Sequence, residues 1–285
     1  MRTVGASLVG ARLNYRNRRN TMAWKADGYV TIGKSHRICQ DYVLADSRHP
    51  TIIVCDGCSS SSHSDLGARL LAHSGYQTLN TGGKETGERE FGNKVIKRAK
   101  TCLETLNPSL TEDTLDATLL AATIRNGRLL IYMYGDGIAV RIKINGEYEI
   151  TRMRAAHNAP HYLSYQIDKK RELRYRKQFP CDDTKQANNQ TLHTNTITTN
   201  DCGVLLEADA SLYRAVALFS DGIESFIDQN SGATYEYHRF VNTALRFKLH
   251  SGAFLQRRVH RELRLLARAN IIHHDDIGTA CLLRA

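Results

Sequence analysis

Two Asn-Gly pairs constrain the fold of this chain more than any other feature. Asn126-Gly127 separates DATLLAATI from RLLIYMYGDG, and Asn145-Gly146 separates IAVRIKI from EYEI. A two-residue loop of type I′ needs positive φ at both central residues, which Asn and Gly tolerate and most residues do not. Each pair therefore joins two adjacent antiparallel strands, and successive hairpins build a meander. The pattern argues against a parallel doubly wound sheet, whose strands need long crossovers.

Strands are expected at Tyr29–Gly33, Tyr42–Asp46, Thr51–Cys55, Ala117–Ile124, Arg128–Tyr134, Ile138–Ile144, Ala215–Ser220 and Ile277–Leu283. Helices fill the intervals. Ser64 caps one over DLGARLLAHSGYQTL. EREFGNKVIKRAKTCLETL is amphipathic, with Phe91, Val95, Ala99, Cys102, Leu103 and Leu106 on one face. Two more are expected near Tyr237–Leu249 and Gly252–Ala269. Helices set between antiparallel strands give an α+β layered domain. The 285 residues, 41% hydrophobic and 24% charged, are enough for a large core, and no apolar stretch is long enough to cross a bilayer. A formal net charge of +10 favours an anionic partner without naming it.

The seven cysteines are an odd number, and Cys55, Cys102 and Cys281 fall in apolar patterns, which reads as reduced thiols in a cytoplasmic protein. Cys55-Asp-Gly-Cys58 has no second pair at metal-ligand spacing, so it reads as one core thiol and one turn thiol. Residues 1–26 contain no acid but carry Arg2, Arg12, Arg16, Arg18 and Arg19, and residues 1–23 are read as a solvated basic extension. Residues 24–285 form the domain, and within it residues 157–201, first basic and aromatic and then polar, read as a flap beside an active site.

Four acidic sites punctuate the strands: Asp41 in CQDYVLAD, Asp56 in TIIVCDG, Asp221 in ALFSDGIE, and Asp275-Asp276 in HHDDIGTACLL. A strand that ends in Asp presents a carboxylate at the rim of a sheet, and a following Gly lets the backbone turn there. Converging carboxylates repel one another unless a cation lies between them. An all-oxygen donor set suits Mg²⁺ or Mn²⁺ rather than Zn²⁺. Taken singly, each site is an ordinary turn or cap.

Taken in order, GKSHRICQDYVLA, TIIVCDGCSSSSHSDLGARLLA, DATLLAATI with YGDG, ALFSDGIESFID and DDIGTACLL resemble the successive motifs of the metal-dependent (type 2C) serine/threonine protein phosphatases, and most nearly their bacterial-type branch. The resemblance spans roughly residues 24–284, except for a stretch around 180–200. It implies a four-layer αββα sandwich of two antiparallel sheets flanked by helices. It also implies two Mg²⁺ or Mn²⁺ ions at one edge, and hydrolysis of phosphoserine and phosphothreonine in proteins by a metal-activated water.

Carried over by residue, Asp56 would bridge the two metals and the Gly57 carbonyl would complete the second metal's shell. Asp221 and Asp275 would ligate the first metal, and Asp41 would act through water. Asp136, in GDG, would help a third metal or simply hold its turn. Two departures stand out. His36, with Arg37 beside it, occupies the place where many members carry a phosphate-gripping arginine, so His36 or Arg37 is expected to contact phosphate. Cys58 replaces a histidine of many eukaryotic members, which leaves metal-bound water or His63 as proton donor. His273 and His274 are expected to be an exposed loop pair. The implied partners are a phosphorylated protein substrate and a cognate Ser/Thr kinase system, with neither nucleic acid nor membrane expected. The departures leave one alternative, a catalytically weak or inactive phosphopeptide-binding regulatory module of the same fold.

Overall fold

Residues Ile52 to Cys55 are apolar at four consecutive positions, a pattern that fits a strand buried on both faces. In the computed structural model, which describes residues 23–81, 86–180, 185–189, 194–199 and 203–285, Ile52 and Val54 enter one buried cluster while Ile53 and Cys55 enter another.

Numbered along the chain, a seven-stranded sheet contains β1 (Trp24–Thr31), β6 (Gly137–Lys143), β7 (Tyr148–Ala155), β8 (Lys185–Asn189), β9 (Thr194–Thr199), β11 (Tyr213–Phe219) and β14 (Ile277–Arg284), in the order β1-β14-β11-β6-β7-β9-β8. A five-stranded sheet contains β2 (Asp41–Asp46), β3 (Thr51–Asp56), β4 (Leu119–Arg125), β5 (Arg128–Tyr134) and β10 (Val204–Asp209), in the order β10-β5-β4-β3-β2. The short β12 (Phe226–Asp228) pairs with β13 (Ile271–His273). The helices are α1 (Ser64–Thr81), α2 (Glu88–Leu106), α3 (Lys169–Gln178), α4 (Tyr237–Ala244) and α5 (Phe254–Arg268).

The core forms three layers of contact. Ile52, Val54, Leu120, Ile131 and Met133 of the smaller sheet meet Val216, Leu218, Ala280 and Leu282 of the larger one. Ile53, Leu119 and Tyr132 pack beneath Leu71 of α1 and Phe91 and Val95 of α2. Val140, Ala217 and Cys281 pack beneath Phe240 of α4 and Leu255 and Val259 of α5. This is the αββα sandwich. Among the described residues, no helix is long and apolar enough to cross a membrane.

Several local expectations are corrected. The larger sheet is mixed, because β7 and β9 run parallel; the chain leaves β7 through α3 and β8 and returns in the same direction. Asn126 (φ 51°) and Gly127 (φ 78°) make the expected turn between β4 and β5. At the second pair only Gly146 has positive φ. There the Gly146 N–H donates to Lys143 O and the Lys143 N–H donates to Glu147 O, a longer turn closed by a glycine bulge. The expected strand 29–33 is observed over 24–31, the strand 117–124 over 119–125, and the helix 237–249 stops at Ala244.

Ser64 lies inside the first turn of α1, and its hydroxyl accepts from Gln40 Nε2 instead of capping. The buried stripe of α2 is Phe91, Gly92, Val95, Ile96, Ala99 and Leu103. Cys102, at its margin, and Leu106, the last helical residue, are exposed. Residues 1–22, which make up most of the basic extension, lie outside the described residues, as do Cys181 and Cys202.

Gly67 of α1 fixes how closely that helix approaches the short 3₁₀ turn at 112–115, since a Cβ there would lie 1.7 Å from the Thr114 carbonyl oxygen. Gly67→Ala is expected to destabilise the protein by about 2–3 kcal/mol or more, the usual cost of overpacking against backbone. Urea unfolding would show this as a lower midpoint at an unchanged slope.

Candidate active site

The register of β2 against β3 sets Asp41 opposite Asp56 at one end of the smaller sheet. At the corresponding end of the larger sheet, β11 stops at Phe219 and Asp221 opens a 3₁₀ turn, while Asp275-Asp276 immediately precedes β14. A hydrogen-bonded link joins the two rims. Ser220 Oγ donates to Asp41 Oδ2 (2.7 Å), and the Gly278 N–H donates to Ser220 Oγ (2.9 Å). A Cβ on Gly278 would stand 2.9 Å from that same Asp41 oxygen and 3.0 Å from Val54, so a side chain here would crowd the Asp41 carboxyl. Asp56 is held by its backbone: its N–H donates to Thr118 Oγ1 (3.1 Å) and its carbonyl accepts from the Thr118 N–H (2.8 Å). Gly57 is buried, and a side chain there would strike the Ser64 carbonyl.

The carboxyls of Asp56 and Asp221 interact at this rim, where neighbouring carboxylates disfavour the charge of each. Burial, reinforced by the charges of Asp41, Asp221 and Asp275, holds Asp56 well above the ordinary carboxylate range. Burial raises Asp221 likewise. Asp41 is pushed up to about 7, chiefly by burial, although the Ser220 hydroxyl opposes the shift. Asp136, in the turn between Gly135 (φ 81°) and Gly137 (φ 142°), is also raised to about 7, by burial and then by the Asp221 charge.

Adjacent acids take different roles. Asp276 is almost fully buried and accepts from the Gly33 N–H and the Gln40 N–H, both at 2.7 Å. The Asp275 side chain is 42% exposed at the rim. His36 lies between them, Nε2 3.3 Å from Asp275 and Nδ1 3.0 Å from Asp276. Burial pulls the His36 pKa down, but the surrounding carboxylates outweigh it and the net shift is upward. Arg37 is exposed.

Cys58 meets Ser60 Oγ at 3.1 Å and lies near Tyr162 of the 157–201 segment. Burial opposes ionisation of this thiol, yet the hydrogen bonds hold its pKa below the ordinary value. His63 is exposed with φ 55°. His273 and His274 are half-buried rather than exposed, because His273 Nδ1 lies against the Asp275 carbonyl (2.9 Å) and the His274 N–H donates to Ser225 Oγ (3.1 Å).

The sequence reading missed Ser220, Thr118 and Glu224 with its two arginines. Glu224, at the end of the Asp221 turn, accepts from Arg152 Nη2 and from Arg154 Nη2 (3.4 Å). A polar cavity of about 180 Å³ lies among Asp136, Asp221, Glu224, Arg152, Arg154 and Asn158. The alternating Arg-Met-Arg of 152–154, two cations on one face of a strand beside the 157–201 segment, was the available signal.

Among the described residues, no three His, Cys, Asp or Glu side chains form a ready-made metal cage. The carboxylates still fit a hard cation. Asp41 Oδ1 and Asp221 Oδ1 are buried without a partner, and a divalent ion would offset the mutual repulsion that raises the pKa values of Asp41, Asp56 and Asp221.

These shifts imply a pH dependence for the metal-free protein. Carboxyls near 3.8 when unfolded and near 7 when folded, as for Asp41 and Asp136, bind more protons in the folded state between those values. Stability without metal is therefore expected to fall as pH rises from about 4 to 7, by on the order of a few kcal/mol. Urea midpoints measured in chelator across that range test this. Added Mn²⁺ should flatten the slope, and flat stability in chelator would contradict a buried, uncompensated cluster.

A family model described as protein phosphatase 2C matches residues 32–256. No curated protein sequence matches the chain. Among solved structures, the catalytic domain of the serine/threonine protein phosphatase PstP in complex with two manganese ions is 14% identical, with 92% of this chain and 98% of that chain covered at a TM-score of 0.53. Stp1 from Staphylococcus aureus is 12% identical (92% and 95% covered, TM-score 0.52). PppA from Pseudomonas aeruginosa, described as a regulatory component of a T6SS, is 13% identical (92% and 98%, TM-score 0.52). At such identities the likeness is one of fold.

Proposed function

The chain belongs to the protein phosphatase 2C family, and on that premise we propose that it hydrolyses phosphoserine and phosphothreonine in proteins at the shared rim of its two sheets. The observation that carries this reading is that Asp41 faces Asp56 across β2 and β3 and is hydrogen-bonded to Ser220, the neighbour of Asp221, so that three strand-end carboxyls converge and repel one another. Asp56, Asp221, Asp275 and the Gly57 carbonyl would hold two Mg²⁺ or Mn²⁺ ions, with Asp41 reaching them through water and Asp136 available to a third. Bound there, such ions supply an activated water and offset the charge that builds on the phosphoryl oxygens.

The remaining tasks fall to the chain. Ser220 fixes one oxygen of Asp41 and leaves the other unpaired. Thr118 anchors the Asp56 backbone where β3 ends. His36 positions Asp275, and Asp276 positions His36. Arg37, which is exposed, would meet the phosphoprotein rather than the carboxylates. The substrate's phosphate would come from a Ser/Thr kinase. The five described cysteines are all unpaired, which suits a reducing cytoplasm.

The alternative, an inactive phosphopeptide-binding module, is less well supported. Two buried carboxylate oxygens without partners cost stability at neutral pH, and a bound cation would offset that cost. Asp56→Asn and Asp221→Ala are each expected to lower Mn²⁺-dependent phosphate release from phosphoserine and phosphothreonine peptides by about 10²–10³-fold or more, with an unchanged circular dichroism spectrum. Full metal-dependent activity in either variant would sink the assignment.

A further inference from the structure

We propose that the cavity between β7 and the Asp221 turn is the subsite for the substrate's phosphoryl group, and that Arg152 and Arg154 grip it there. The inference rests on the phosphatase reading above and names residues for the half of the site that His36 does not serve.

The placement follows from strand geometry. Met153 points into the layer between the sheets, so Arg152 and Arg154 point to the opposite face. The register of β6 with β7 pairs Gly137 with Met153 and Ile138 with Arg152, which brings both arginines beside Asp136. Glu224 then draws the two guanidiniums toward Asp221. At about 180 Å³ the cavity has room for about six waters at ~30 Å³ each, enough for a phosphoryl group and its companions. It is smaller than the ~300–1,000 Å³ of a typical small-molecule or cofactor pocket.

The lining has unpartnered groups of both signs. Arg152 Nε is a buried donor without a partner, and Asp221 Oδ1 and Glu224 Oε1 are buried acceptors without partners. Buried polar groups are nearly always satisfied, and the two kinds call for different partners. The donor side suits a phosphoryl group, which only accepts, and the acceptor side suits the cations of the phosphatase reading. Guanidinium is planar, permanently charged and able to bind phosphate through two parallel hydrogen bonds, which an imidazole cannot do. His36, moreover, lies within ion-pair distance of both Asp275 and Asp276. The two arginines divide the work. Arg152 is the more buried and is held by Glu224, whereas the Arg154 side chain is 55% exposed and touches Glu224 only at 3.4 Å, so it can swing onto an incoming phosphate.

Calorimetric titration of inorganic phosphate into the Mn²⁺-loaded protein tests the subsite whether or not the protein is active, alongside phosphopeptide kinetics. Arg154→Ala is expected to weaken phosphate binding by about 10–100-fold, the loss of a charge-assisted contact. KM should rise in parallel, kcat should change less, and Mn²⁺ affinity should hold. Arg154→Lys should recover only part of the loss. Glu224→Gln, which frees the arginines from their counter-charge, should tighten phosphate binding. Unchanged phosphate affinity in both Arg154→Ala and Arg152→Ala overturns the proposal, as does a loss of Mn²⁺ affinity that matches the loss of phosphate. If the wild type binds phosphate through Arg154 but releases none from phosphopeptides, the catalytic reading fails and the subsite stands.

Discussion

Everything at this site depends on holding several carboxylates close together out of water. Asp41 and Asp56 face each other across β2 and β3, and Asp221 reaches them from the other sheet. Burial and mutual repulsion both favour protonation, so the group is under strain unless a cation joins it. The fold meets that demand by bringing two sheet rims into hydrogen-bonding range through Ser220, at a point where Gly278 leaves no side chain in the way. Inter-sheet packing and site assembly are therefore one event: Val54 and Leu282 close the core in the same strands that deliver Asp56 and follow Asp276.

The pair Asp275-Asp276 shows how environment divides labour between identical side chains. Asp276 spends its oxygens on two backbone N–H groups, which ties the Gly33–Gln40 loop to the start of β14. Asp275, one residue earlier, remains at the rim with one oxygen accepting from the Asp276 N–H and facing His36. Gly222 and Gly33 allow this crowding. A Cβ on Gly222 would lie 1.7 Å from the Asp276 carbonyl oxygen, and one on Gly33 would lie 2.3 Å from the Asp275 carbonyl carbon.

What was legible in the sequence was what local chemistry dictates. Apolar runs ending in Asp-Gly located the ends of β3 and β11, and Asn-Gly joined β4 to β5, because each rests on a few adjacent residues. The order of the acidic motifs then pointed to the sandwich. Lateral pairing was not legible. Nothing within residues 194–199 states that they lie parallel to β7, and nothing within β10 states that it borders β5. Exposure at α2 failed for a similar reason, since a helical face is set by what covers it, and Cys102 lies just beyond that cover. The partners of the site carboxylates were missed because hydroxyls such as Ser220 and Thr118 acquire a role only through contacts 179 and 62 residues away.

The same reasoning accounts for the histidine at position 36. A cation that grips phosphate from a loop must be held against its own flexibility, and here the loop's His36 lies between Asp275 and Asp276 while Lys34 and Arg37 are exposed. Arg152 and Arg154 stand instead on β7, paired to β6 on one side and β9 on the other. Groups carried by strands are positioned more accurately than groups carried by loops. A phosphate contact carried by the strand would leave His36 to orient a rim carboxylate, and it would make Glu224, the acid that binds Arg152 and Arg154, the residue that aims two guanidiniums at the site.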